Sequence, residues 1–224
     1  MSAAVLRPAV AAIAVIAVMA VSLGAAPAGA TPWGGRADQS EAPAGRRQPA
    51  PPWFVVRYDV VASGDVRSDL AVFSAVVDDT LRDPNGWATN GAVAFVADRR
   101  DPDLTIHLAA PAVVAAADPA CSAQYSCRVG DDVYINAGRW VRGADSYRHR
   151  GRSAYRQYVI NHEVGHWLGL GHQPCSAPGA PAPIMKQQSK GLGGCEPRMW
   201  PLPQERRRML RTLAVQRPEL ATRP

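Results

Sequence analysis

The sequence predicts an α+β domain built on a mixed sheet, and three observations carry that expectation. Short runs rich in β-branched and aromatic residues at 54–61, 92–97, 104–109 and 133–136 read as strands. Apolar residues at helical spacing mark 68–82, 153–168 and 203–213 as helices. The resulting order, β-α-β-β-(β)-β-α-loop-α, gathers the strands in the first half and is that of an α+β chain rather than of alternating βα units.

Arg7 is the one charged side chain before Arg36, residues 9–23 are apolar apart from Ser22, and Ala28-Gly29-Ala30 closes the stretch. Residues 1–30 therefore read as a secretory signal peptide, cut after Ala30. The rival is an uncleaved membrane anchor, because the apolar run nearly reaches spanning length. Residues 31–52 hold Pro, Gly, Ala and polar residues without an apolar period, as a flexible tether does. The domain is expected over 53–215, leaving 216–224 as a tail.

Within the domain, Ser68 is placed to cap a helix whose apolar positions are Leu70, Phe73, Val76, Val77 and Leu81, ended by Pro84-Asn85-Gly86. The charged turn 98–103 separates the second and third strands. A hairpin around Gly130-Asp131-Asp132 joins a cysteine-bounded segment to the strand 133–136. The helix 153–168 follows, then an irregular stretch to about Pro201 and a terminal helix at 203–213.

A hydrophobic fraction of 47% with 20% charged residues excludes wholesale disorder. No period of about 20–50 residues recurs, which excludes solenoids and propellers. The net charge of +6 rests almost wholly on arginine, since Lys186 and Lys190 are the only lysines. With abundant Ala, Gly and Pro, this bias fits GC-rich coding. No nucleic-acid-reading motif accompanies it, so no nucleic-acid partner is expected.

Cys121, Cys127, Cys175 and Cys195 all follow the exported segment, and an even count there points to two disulfides. Three pairings are open. Sequential pairing closes the shortest loops, and Cys175 as a metal ligand is the alternative to cystine.

Residues 162–172 read HEVGHWLGLGH. His162 and His166 lie one turn apart and about 40° around a helix, so both imidazoles face one point. Glu163, beside one ligand, reaches a metal-bound water. Gly169 tolerates the backbone angles that end a helix, and a turn there returns His172 as a third nitrogen. Three histidines and a water make the open, catalytic type of zinc site. Five constrained positions arise by chance in a chain this long less often than about one time in ten thousand.

With His162, Glu163, His166, Gly169 and His172 in register, the sequence resembles the metzincin metallopeptidases, whose pattern is H-E-x-x-H-x-x-G-x-x-H followed by a methionine-bearing turn. More narrowly, 53–215 resembles an uncharacterised group of secreted bacterial metzincin-like peptidases. The resemblance implies a metzincin-like α+β fold, with two helices on the N-terminal side including the active-site helix, a Met-turn and a C-terminal helix. It implies that Met185, in Pro183-Ile184-Met185, is the apolar floor beneath the zinc; an ordinary core methionine is the other reading. Gln187 stands where some of these enzymes carry a tyrosine, so no tyrosine switch is expected. No cysteine lies in 31–52 to hold zinc in a latent form, leaving Asp38 or Glu41 as the conceivable caps.

The function expected is that of a secreted zinc-dependent metalloendopeptidase acting on a protein or peptide, with one Zn2+, a metal-activated water and Glu163 as general base. Two alternatives stand beside it: a zinc amide hydrolase acting on cell-wall peptides, and a zinc-stabilised extracellular binding protein with little turnover. Residues 173–200 should supply part of the specificity wall. His107 shares a strand with Leu104, Ile106 and Leu108 but points the other way, as a surface or cleft-wall residue or an extra ligand. The basic run from Arg139 through Arg142, Arg148, His149, Arg150, Arg152 and Arg156 is either a solvated segment or a contact for anionic substrates and cell-surface polymers. Arg206-Arg207-Arg208 reads as an exposed helix face, and Trp167 as core or cleft wall.

Overall fold

A computed structural model of the chain describes residues 52–222. The expected signal segment, all but the last residue of the expected tether, Asp38, Glu41 and the last two residues of the expected tail lie outside that range. Strand β1 (Phe54–Ser63) lies inside a five-stranded mixed sheet, with the edge strand β2 (Val93–Ala97) on one side and β3 (Leu104–Ala109) on the other, both parallel to it. Beyond β3 come β5 (Asp132–Asn136), parallel, and β4 (Cys127–Val129), antiparallel to β5 across the expected hairpin. The order is β2-β1-β3-β5-β4.

Alternation along the strands decides which face is buried. Phe54, Val56 and Tyr58 of β1, Leu104, Ile106 and Leu108 of β3, and Val133 and Ile135 of β5 enter the core, while Arg57 is exposed. Helix α1 (Leu70–Arg82) contributes Phe73, Val77 and Leu81 to that core. Its cap is Asp69 rather than Ser68: the carboxylate Oδ1 accepts from Ala71 N at 2.8 Å and Val72 N at 3.3 Å. Helix α4 (Gly151–Trp167) crosses the same core with a nearly continuous buried surface, starting one half-turn before the expected Ser153.

A short loop joins β2 to β3 although both run the same way, because the two are staggered along β1. Tyr58 pairs with Ala97, the end of β2, and with Leu104, the start of β3. The 98–103 turn therefore crosses β1 without a helical return, tied by Asp98 N to Tyr58 O and Asp103 N to Arg57 O, each at 2.9 Å.

Two short helices were not expected from the sequence. Helix α2 (Pro111–Ala117) buries only Val114, too little apolar surface to show a period, although Pro111 at its first turn was a start signal. Helix α3 (Ala137–Arg142) is capped by Asn136, whose side chain accepts from Arg139 N at 3.2 Å. Helix α5 (Pro203–Gln216) extends past the expected 213. Of the expected tail, residues 216–222 are docked: Leu220 is buried, Ala221 bridges Phe54, and Thr222 N donates to Trp53 O at 2.9 Å. Among the described residues, no helix is long and apolar enough to cross a membrane.

Candidate metal centre

Helix α4 presents His162 and His166 one turn apart, with ring centroids separated by 4.8 Å. The helix stops after Trp167 because Gly169 adopts φ +84°. Gly169 N donates to His166 O and Leu170 N to Gly165 O, both at 3.0 Å, which is the paired pattern of a Schellman turn. The turn brings the His172 ring to 4.6 Å from that of His166 and 5.4 Å from that of His162. Candidate ligand atoms of the three histidines all lie within 4.8 Å of one another.

Gly169 is required twice over. A Cβ there would meet Thr212 Cγ2 at 2.6 Å and press on Gln216 Oε1, both from α5, in a backbone region that L-residues rarely adopt. Gly169→Ala is expected to cost about 2 kcal/mol of stability, whereas Gly171→Ala, with nothing within 4 Å of its Cβ position, should leave it unchanged. Urea unfolding of the two variants separates this steric demand from a general intolerance of the segment.

Two backbone carbonyls fix the ring orientations. His162 Nδ1 lies 2.7 Å from Ile184 O, and His166 Nδ1 lies 2.9 Å from Leu170 O. A carbonyl oxygen only accepts, so each Nδ1 carries the proton and each Nε2 presents a lone pair. His172 Nε2 sits 3.0 Å from His166 Nε2, an approach that requires a proton or a cation to be shared. Pinned Nδ1 atoms and convergent Nε2 atoms are the outer-sphere arrangement of imidazole–zinc sites, so the donor set fits a zinc-like ion.

Glu163 follows His162 and is 6% exposed. It lines the same cleft, about 280 Å³ in volume, as His162, His166 and His172. Burial pushes its carboxyl up to about 8, against the pull of Arg128 and Lys190. Burial pushes His162 down to about 3, with His166 adding to the shift. It pushes His166 down to about 4, against its bond to Leu170 O, and lowers His172 as well. The imidazoles are thus kept neutral, as ligation demands.

These shifts set the pH response of the metal-free protein. Below the ordinary 6.5, the unfolded chain protonates His162 and His166 while the folded chain does not until about 3 and 4, so stability falls with falling pH. Glu163 acts oppositely: the folded chain keeps its proton up to about 8 and the unfolded chain releases it above 4.5, so stability falls as pH rises between them. Two histidines outweigh one glutamate below 6.5, and above it the glutamate acts alone among these three. Melting temperature in chelator is expected to peak near pH 6.5, with Glu163→Gln flattening the alkaline side; a peak unmoved by that change would contradict the assignment.

Met185 lies fully buried beneath the helix. It approaches there because position 165 is glycine: a Cβ on Gly165 would come within 2.5 Å of Met185 Sδ and 3.0 Å of Trp87. Trp87 packs against the helix at the same glycine and donates Nε1–H to Asn161 O at 2.8 Å. The turn carrying Met185 closes with Lys186 N to Pro183 O, and Met185 O accepts from Gln173 N, each at 3.0 Å. Glu205 holds it from α5: its buried carboxylate accepts from Ile184 N at 2.9 Å, Met185 N at 3.0 Å and Leu202 N at 2.8 Å. Gly165, Trp87 and Glu205 escaped the sequence reading. For Glu205 a signal existed, a carboxylate three residues into a helix that starts at Pro203.

The other residues singled out in the sequence divide clearly. The cysteines pair sequentially, Cys121 with Cys127 and Cys175 with Cys195, which removes Cys175 as a thiolate ligand. His107 lies outside the cleft lining, with Nδ1 2.8 Å from Ser63 Oγ, Nε2 2.9 Å from Asp132 Oδ1 and its ring stacked on Tyr134. Trp167 is core, 2% exposed, with Nε1–H donating to Asp131 Oδ1 at 2.9 Å. Of the terminal basic triplet, Arg207 and Arg208 are exposed and Arg206 is half-buried. Gln187 lines the cleft, while the Tyr158 hydroxyl is engaged by Lys186 O and Gln188 N.

A solved structure of archaemetzincin (amzA) from Methanopyrus kandleri aligns with 71% of this chain and 96% of its own, at 14% identity and a TM-score of 0.45. No curated protein matches the sequence. A family model described as "Protein of unknown function (DUF3152)" matches residues 55–200, a span that includes the histidine cluster and the turn at Met185. That span is more than half of the 224 residues, and the chain belongs to this family.

Proposed function

We propose that this protein is a secreted zinc metalloendopeptidase of the metzincin type. The observation that carries the reading is the convergence of His162, His166 and His172 to within 4.8 Å, with the Nδ1 atoms of two of them committed to backbone carbonyls, in a cleft that Glu163 also lines. The order of these residues in HEVGHWLGLGH, with Met185 following, supports the same assignment.

In this reading His162, His166 and His172 hold the ion, and Met185 floors the site. Bound zinc supplies a Lewis acid and an acidified water at neutral pH. Glu163 takes the proton from the attacking water and delivers it to the leaving amine. Its buried position suits both tasks, because desolvation raises its affinity for the proton it must carry. Two cystines support an oxidising compartment and thus the exported location.

A fluorogenic peptide library tests the proposal. Cleavage should stop in chelator and return with added zinc. One equivalent of zinc bound, with neither peptides nor cell-wall fragments cut, would instead assign the chain to zinc-stabilised binding proteins. Cutting confined to wall fragments would point to the amide-hydrolase alternative.

A further inference from the structure

We propose that the cleft selects acidic peptide segments, with carboxylates held by Arg128 and Lys190; this rests on the peptidase reading of the same site. The two lysines of the chain, Lys186 and Lys190, both follow the turn at Met185, and Lys190 lines the cleft. Arg128, from the strand that ends the Cys121–Cys127 loop, lines it too. Against these cations Glu163 is the one acidic residue of the lining.

No ion pair of the described fold engages these cations, although Asp131 lies near enough to Arg128 to feel its charge. Among the described residues, the ion pairs involve other basic groups and leave out Arg128, Lys186 and Lys190. Elsewhere in the basic run, Arg156 lies over the Trp140 ring at 4.4 Å and Arg148 pairs with Asp145 at 2.9 Å. Uncompensated charge on a concave wall focuses a positive potential into the space where a ligand sits.

The positive charge also continues outward. Tyr125, in the cleft lining, lies 5.0 Å from Lys190 Nζ and 4.9 Å from the Arg139 guanidinium. Arg139 is oriented by donation from Nε to Gln124 O at 2.8 Å. With Arg142 and Arg148 it lines a second hollow of about 290 Å³, whose single acid, Asp145, is already paired with Arg148. A peptide leaving the cleft past Tyr125 thus meets further cations, so carboxylates on several successive residues can be read.

Binding is measured apart from turnover on zinc-loaded Glu163→Gln protein. The probes are labelled peptides identical except for Glu, Gln or Lys around a central apolar pair, each with a free or an amidated C-terminus. The Glu peptides should bind about ten-fold tighter than the Gln peptides at low salt, and the difference should shrink in about 0.5 M salt. Loss of the preference on amidation alone would assign the site to a terminal carboxylate and overturn recognition of acidic side chains. The double variant Arg128→Gln, Lys190→Gln, with unchanged melting temperature and zinc content, should abolish the preference. Equal binding of Glu and Lys peptides, or a preference that survives the double variant, overturns the proposal. Acidic preference without cleavage by the wild type would refute the peptidase reading alone, and cleavage indifferent to charge would refute this inference alone.

Discussion

Glu163→Gln is expected to keep its zinc and to lower kcat by about a thousand-fold. Glutamine has nearly the same volume as glutamate, so the 6%-exposed site should repack without a cavity. The rings of His162 and His166 are oriented through Nδ1 by Ile184 O and Leu170 O, bonds in which Glu163 has no part. The amide cannot accept a proton from the attacking water or return it to the leaving group, and that is the whole of the loss. The metal-free variant should be at least as stable as the wild type at pH 8, because an acid raised by burial to about 8 is then being charged at a cost. Turnover and zinc stoichiometry measured on one preparation decide the matter. Hydrolysis within a few-fold of wild type would take the general-base role away from Glu163.

Glu205→Ala is expected to cost about 3 kcal/mol of stability and to weaken zinc binding, although Glu205 does not touch the cleft. The substitution strands the N–H groups of Ile184, Met185 and Leu202, all of which the carboxylate accepts at 3.0 Å or less. Each stranded buried donor costs about 1–3 kcal/mol, while removal of a buried carboxylate returns part of its desolvation penalty, so the sum is not reached. The effect on metal follows from the backbone: Ile184 O orients His162, and Met185 O holds Gln173 beside His172. Glu205→Gln, which keeps one acceptor oxygen, should fall between the two. Urea unfolding in chelator reads the stability term, and competition against a chromogenic chelator reads the metal term. A loss no larger than that of the exposed Arg207→Ala would remove Glu205 from its role.

What could be read without coordinates was whatever depends on near neighbours in the chain. The α1 and α4 helices announce themselves by apolar spacing, β1 by a run of β-branched and aromatic residues and β3 by alternation, because those signals extend over several residues. Helices α2 and α3 do not, since a helix of two turns that buries one side chain leaves no period. The 98–103 turn was visible as a turn, but whether β2 and β3 pair with each other or flank a third strand depends on stagger along β1, which no local signal encodes.

The same division runs through the candidate site. The grouping of His162, Glu163, His166 and His172 was determined by the sequence itself, because helix geometry sets the first pair and a glycine turn three residues later returns the third histidine. Gly165 and Glu205 carry no such local mark. The first is glycine because Met185 must approach α4, and the second is buried because three donors from 184–202 converge on it. Likewise His107 and Trp167 each had two open readings, which only the packing resolved, one against Tyr134 and the other into the core. Spacing along a helix specifies what its own turns bring together. Contacts between residues far apart in the chain are decided by how the layers pack, and only the tertiary structure holds that information.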